Sequence, residues 1–260
     1  MNTAGRLLAI VDTLNFKVHR DTPDPMVKVW ATVFELDAAD PEIEDSVVMC
    51  LQAMREELDL LSAKLTAREV PSDGFGWPIK RLRDVASTVH LNSNWYALRD
   101  EILKPDTRMS FMWANWVLRD EDEAPMPSEE LASLRGELDA LEQSLREADM
   151  TPYLRGFIQR QIDAIRTALK LYRVQGVKPI EEALHQVAGA YTVEKSRVEA
   201  EHAQASEPTK NLFARAGAVI KKTAEVADNL DKIRKAGEGA YTLAASVGPL
   251  LLTYGQNLLK

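Results

Sequence analysis

Leu131, Leu134, Leu138, Leu141 and Leu145 step by 3, 4, 3 and 4 residues. Only a helix brings side chains at those spacings onto one side. So regular a leucine seam commits the segment to α-structure packed against another helix. The partner follows at once. Thr151-Pro152 supplies a side-chain oxygen for an N-cap and a residue with preset φ for the first turn. Leu154, Ile158, Ile162, Ile165, Leu169 and Tyr172 then fall on one face. A connection this short predicts an antiparallel helical hairpin. The seam covers only two heptads, so a hairpin packed inside a bundle is expected in place of an extended coiled coil.

The same signals recur upstream. Asp24-Pro25 and Asp40-Pro41 predict helices beginning near 25 and 41. After Pro41, the stripe Ile43, Val47, Leu51, Met54, Leu58, Leu61 and Leu65 predicts one long helix. Pro71 to Pro78 holds two Pro and two Gly and reads as a loop. Residues 79–120 carry three shorter helical patterns, separated near Asn92 and Pro105. Val27 to Phe34 and Arg108 to Leu118 have the β-branched and aromatic content of strands, yet their placement reads as helical. Beyond the hairpin, Gly176 is the expected terminator of its second helix, and another helix begins at Pro179. The polar stretch Val193 to Lys210 extends that helix or links it onward. The predicted fold is all-α. An aromatic-rich helical domain covers 1–122, and the acidic, proline-bearing run Asp120 to Pro127 marks its end. A helical-hairpin bundle covers 126–205. A basic amphipathic helix and an uncharged apolar segment make up 207–260.

Composition limits the function classes. The 45% hydrophobic and 28% charged content of these 260 residues is that of a globular chain. The single cysteine, Cys50, lies in the apolar run Val47 to Leu51, so a buried thiol and a reducing compartment are expected. The apolar run Leu7 to Val11 is too short for an export signal, which points to the cytoplasm. The net charge of −8 argues against a general affinity for nucleic acid. The charge is uneven: from Lys210 onward, eight Lys/Arg face four Asp/Glu, leaving −12 on residues 1–209. An acidic body with a basic tail suits contact with an acidic surface, or docking of the tail on its own body.

No catalytic or cofactor motif is legible. Phosphate-cradling glycine loops, zinc-type Cys/His spacing, HExxH and G-x-S-x-G are all missing from the sequence, so no cofactor and no metal are expected. Glu182 with His185, and Glu199 with His202, have the i, i+3 spacing of carboxylate-bridged metal helices. Only 17 residues separate the two pairs, which places them along one helix with no convergence. Arg83 to His90, and Arg197 to His202, have the Arg-to-His spacing of a ribonuclease signature, and the first has a polar residue after the Arg. In this it resembles the helical HEPN ribonucleases. The resemblance implies that Arg83 and His90 act together on an RNA 2′-hydroxyl and phosphate. The alternative is an exposed Arg83 and a His90 near a helix C-terminus.

All five Trp (30, 77, 95, 113 and 116) fall in the first domain. With no Lys/Arg interleaved on an acidic domain, core packing is expected over a stacking platform. The C-terminus is the most informative region. Leu212, Phe213, Ala216, Val219, Ile220, Val226, Ala227, Leu230 and Ile233 form an amphipathic stripe. Gly239 to Leu259 then runs 21 residues without a charge, the length of a bilayer span. Polar and helix-breaking residues dilute it, so burial as a helical hairpin competes with membrane insertion. The membrane reading uses Lys221, Lys222, Lys232, Arg234 and Lys235 for anionic headgroups, and Leu243, Val247, Leu250, Leu251 and Leu252 for the apolar phase. Leu169 to Gly176 resembles segments of bacterial helical proteins, some from defence or mobile-element neighbourhoods. The expected function is a non-enzymatic interaction or effector protein of the bacterial-defence or toxin type. Its helical body would bind a protein partner or a second copy, and its tail would meet the inner membrane or drive assembly. The alternatives are a ribonuclease using Arg83 and His90, and a soluble adaptor or immunity partner with the tail in its core.

Overall fold

A computed structural model describes residues 1–231. The described residues form ten α-helices and no strand, with one isolated bridge between Pro25 and Asn94. Both segments of strand-like composition are helical. The described residues divide into two units: Met1–Glu123 with Arg173–Gly176, and Ala124–Tyr172 with the described residues from Val177 onward.

In the first unit, α1 (Thr3–Phe16), α2 (Met26–Phe34), α3 (Ile43–Ala67), α4 (Gly76–Val85), α5 (Trp95–Ile102) and α6 (Pro105–Val117) surround an apolar interior. The α3 stripe is buried from Val47 to Leu65, and Cys50 with it. Trp30 stacks on Phe34 one turn on, with ring centroids 5.5 Å apart. Asn2 ties α1 to α6. Its Oδ1 accepts the Gly5 N–H, while its Nδ2 donates to the Asn115 and Leu118 carbonyls at 3.1 and 2.9 Å. The helices meet so closely at Gly5 that a Cβ there would lie 2.6 Å from Asn115 Oδ1.

A buried ion pair locks this unit. Arg6 and Glu57 are 5% and 3% exposed. Arg6 Nη2 donates to Glu57 Oε2 at 3.0 Å, Nη1 to Glu123 Oε2 at 3.3 Å and Nε to the Val174 carbonyl at 3.1 Å. The last turn of α8 (Pro152–Gln175) therefore belongs to this unit, and Gly176 ends it as the sequence predicts. Gly176 has φ +71°, a left-handed conformation that glycine adopts without strain. A Cβ there would lie 2.7 Å from both Arg6 Nη1 and Glu123 Oε2.

Two predicted starts shift. Pro25 is itself the N-cap of α2, and the Asp24 carboxylate accepts from Thr22 Oγ1 instead of capping the helix. Asp40 Oδ1 accepts the Glu42 N–H, which forms a turn, and α3 begins at Ile43. The run Pro71 to Pro78 is only partly loop. It contains a 3-10 turn and the start of α4, because a proline is tolerated in a first helical turn where its missing N–H has no partner to lose.

In the second unit, α7 (Ser128–Glu147) and α8 bury the predicted Leu and Ile positions from Leu134 to Leu169, with Leu131 and Tyr172 half-buried. Thr151 Oγ1 caps α8 by accepting the Leu154 N–H at 3.2 Å. Arg166 of α8 pairs with Asp139 and Glu142 of α7, and Arg155 donates to the Leu145 and Ala148 carbonyls. Next come α9 (Lys178–Ala203) and α10 (Glu207–Asp231), so the polar stretch after Val193 is mainly helix extension with a break at 204–206. Leu212, Phe213, Ala216, Val219, Ile220, Val226 and Ala227 of α10 join the same core.

Candidate functional site

On α6, Thr107, Phe111 and Ala114 are buried, as is Leu118 just beyond it. At 100° per residue, Met109, Met112, Trp113 and Trp116 fall on the opposite face. A surface helix ordinarily carries charge there. Here those four side chains are 67%, 44%, 53% and 60% exposed. The sequence-based expectation of buried tryptophans holds for Trp30 and Trp95 and is corrected for Trp77, Trp113 and Trp116. The reason is geometric. A single helix has two sides, and the packing of α1 and α4 on α6 uses only the Phe111 side.

Neighbouring side chains extend the face. The Arg108 guanidinium lies 5.5 Å from the centroid of the exposed Phe16 ring, and its Nη1 is 2.9 Å from Met112 Sδ. Arg108 Nε is held by Asp12 Oδ1 at 2.7 Å. Arg119 covers Trp116 at 4.4 Å, and Lys80 covers the exposed Trp77 at 5.2 Å. At the N-terminal end of α6, Arg81 donates to the Asp106 carboxylate at 2.6 Å and holds it below the usual carboxylate range. The α6 face with Phe16 presents on the order of 600 Å² of apolar side chain, the upper end of what a monomer's largest patch shows. Aromatic rings and Met beside Arg are the composition enriched in protein interfaces.

The other predicted residues sit elsewhere. Arg83 lies on α4, with its guanidinium paired to Asp59 of α3. His90 lies on the separate 3-10 turn Thr88–His90 and is half-buried. The two share no helix, and the Arg83 charge already has a carboxylate. Glu182, His185, Glu199 and His202 all lie along α9. Among the described residues no group of three or more His, Cys, Asp or Glu could hold a metal ion. His202 packs edge-on against Phe213 at 5.0 Å, and burial, then Lys210, pushes its pKa down. Lys221 pairs with Glu225 on its own helix. Lys222 donates to Ser133 Oγ and Glu137 of α7. Lys232, Arg234, Lys235, Leu243, Val247, Leu250, Leu251 and Leu252 lie outside the described residues. Among the described residues no helix is long and apolar enough to cross a membrane.

A cleft of about 650 Å³ also opens in the first unit. Val27, Ala31, Leu36 and Ile43 form its apolar floor, with Lys17, His19 and Lys28 at the rim. Its size suits a small ligand, but the rim residues are solvent-exposed and none is aimed inward by a buried partner. The α6 face is the more unusual feature, and its only signal in the sequence is the run Met109 to Leu118, ten residues without a charge. No known protein family, curated protein or solved structure matches the chain.

Proposed function

We propose that this chain is a non-enzymatic interaction protein whose first unit recognises protein through the exposed α6 face. The observation that carries the reading is the Met109, Met112, Trp113 and Trp116 stripe, solvent-exposed at helical spacing on the side of α6 away from its core. Large apolar side chains lined up on one helix face belong to the helix-docking mode of recognition, in which residues at i, i+3, i+4 and i+7 are the anchors. The surrounding unit favours protein over a bilayer as its target. Residues 1–123 carry 14 Lys/Arg against 22 Asp/Glu, a balance of −8, which an anionic surface repels. In the same reading, α7 to α10 form an antiparallel helical-hairpin bundle that carries the C-terminal tail. The tail, through Lys232, Arg234, Lys235 and the charge-free run after Gly239, supplies membrane association or assembly.

The test is a photoreactive benzophenone side chain in place of Trp113, with a control at Val193, which is exposed alone on α9. Irradiation of cells that make the full chain should give a discrete protein adduct at 113, lost when Trp116→Lys is added. Adducts at 113 no more discrete than those at 193, or unchanged by Trp116→Lys, would sink the reading.

A further inference from the structure

We infer that the cleft of the first unit binds a free aliphatic carboxylate, its chain lying on the apolar floor and its head held at the mouth by Lys17 and Lys28. The floor follows from helical spacing. Val27 and Ala31 stand one turn apart on α2, and Lys28 and Thr32 each follow by one residue, so one helix supplies both floor and rim. Glu35 then adopts φ 55°, and the Leu36 N–H bonds back to the Ala31 carbonyl at 3.0 Å. This left-handed turn ends α2 and brings Leu36 onto the same floor as Ala31. Ile43, the first residue of α3, and Val18, just past α1, also line it. About 650 Å³ falls within the usual range of small-molecule sites, about 300–1,000 Å³. Among the described residues the lining holds no Phe, Tyr or Trp and no Gly. A flat ring system finds nothing to stack on there, and a phosphate finds no glycine-rich cradle. A flexible methylene chain meets branched aliphatic side chains.

The charge at the mouth selects the sign of the head. Residues 1–123 contain five lysines. Lys64 and Lys104 pair with Glu121 and Glu101, and Lys80 lies over Trp77. Among the described residues, Lys17 and Lys28 are the two of the five with neither a carboxylate nor a ring, and both line this cleft. The acid on the lining, Asp24, accepts from Thr22 Oγ1 at 2.7 Å. Glu35, beside Leu36 in sequence, is instead paired with Arg173. His19 Nδ1 accepts the Asp21 N–H at 3.3 Å, so the neutral ring carries its proton on Nε2, a further donor at the rim. In a unit of net charge −8, a mouth with two lysines against one aspartate is a local reversal of sign. Exposure of the lysines suits this role. Their ammonium groups stay in water on flexible stems, where the head of a half-enclosed amphiphile also stays. The negative unit is repelled by an anionic bilayer, which favours a free amphiphile over a lipid still in its membrane.

The test is isothermal titration calorimetry of the full chain with decanoate. Decyltrimethylammonium serves as the probe of equal chain length and opposite charge, and acetate as the head alone. Decanoate should saturate one site per chain. The cationic probe should bind at least about tenfold more weakly, and acetate should give no saturable heat. Lys17→Gln combined with Lys28→Gln should weaken decanoate binding about tenfold, which is what two exposed ion pairs contribute together. Both lysines are solvent-exposed, so the urea midpoint of this variant should match the parent's. Val27→Asp, which puts a charge on the floor, should abolish binding, and the Gln pair decides the matter if that variant does not fold. Trp116→Lys on the α6 face should leave the affinity unchanged. No saturable decanoate binding up to about 1 mM, equal affinity for the cationic probe, or indifference to the Gln pair would each overturn the inference. Loss of binding in Trp116→Lys would move the site to α6 and overturn it too. A fall in flotation with anionic vesicles in the Gln pair would assign these lysines to a bilayer, against the inference.

Discussion

Glu57→Gln is the sharpest probe of how the first unit is held together. The substitution conserves volume and removes one charge from a pair whose side chains are 6% and 4% exposed. The Arg6 guanidinium then keeps Glu123 Oε2 at 3.3 Å and the Met1 and Val174 carbonyls, but loses its closest carboxylate. Breaking one side of a buried ion pair costs about 3–5 kcal/mol, because the survivor stays desolvated. Glu123 remains within reach and its side chain is only 16% exposed, so the lower end, about 3 kcal/mol, is expected here. Set against a typical domain stability of about 5–15 kcal/mol, this is a large fraction. Urea unfolding followed by tryptophan fluorescence isolates the unit, since all five Trp lie between residues 30 and 116. The midpoint should fall with the slope unchanged. Replacing both partners, Arg6→Met with Glu57→Leu, should cost less than Glu57→Gln alone, since no charge is then stranded. A loss below about 1 kcal/mol for Glu57→Gln at constant slope would mean that water screens the pair, and the argument from burial would fail.

Two further outcomes follow from the second unit and the tail. His202 has its pKa lowered by burial and by Lys210, so folding disfavours its protonated form. Its stabilising contribution is complete above the unfolded value of about 6.5 and is lost as pH falls through the lower folded value. Urea midpoints by circular dichroism should therefore drop between pH 7.5 and 5.5 by less in His202→Gln than in the parent, and equal drops would remove His202 as a cause. The intact protein should float with anionic vesicles at low salt, and Leu251→Asp should weaken this, since an acid at mid-span costs about 3 kcal/mol on insertion scales. Lys222→Gln should matter less than Lys235→Gln, because Lys222 is already committed to Glu137. Absence from vesicles at low salt would remove the membrane role of the tail.

The helices were legible where one mechanism acted alone. The steps of three and four through α3, α7 and α8 place side chains on one face whatever the neighbours are, and those residues are buried except Ile43, Leu131 and Tyr172, which are half-buried. Thr151 caps α8 as read, because a threonine oxygen before a proline has one nearby N–H to accept. Asp24 and Asp40 carry the same motif but spend their carboxylates on Thr22 and Glu42 in the loops before α2 and α3. A local hydrogen bond two residues away competes with the cap at equal chemistry, and spacing alone does not choose between them. The Arg6–Glu57–Glu123 network was out of reach for a different reason. Its members are separated by 51 and 117 residues, and only the packing of α1 on α3 and α6 joins them.

The α6 face lay between these cases. Thr107, Phe111, Ala114 and Leu118 keep helical spacing, and so do Met109, Met112, Trp113 and Trp116, so periodicity assigns a helix twice without saying which side is core. A helix apolar on both sides is either enclosed or holds one side for a partner. Hydrophobicity favours enclosure of the tryptophans, which is why core packing was the natural expectation. What decides it is the supply of covering elements. Helices α1 and α4 lie against the Phe111 side, and α5 and the 3-10 turn Thr88–His90 complete the unit elsewhere. The four outer side chains are left uncovered by a unit whose other helices are already committed to its interior. Exposure of that stripe costs solubility unless something covers it for part of the protein's life. A covering surface must therefore be apolar at its centre.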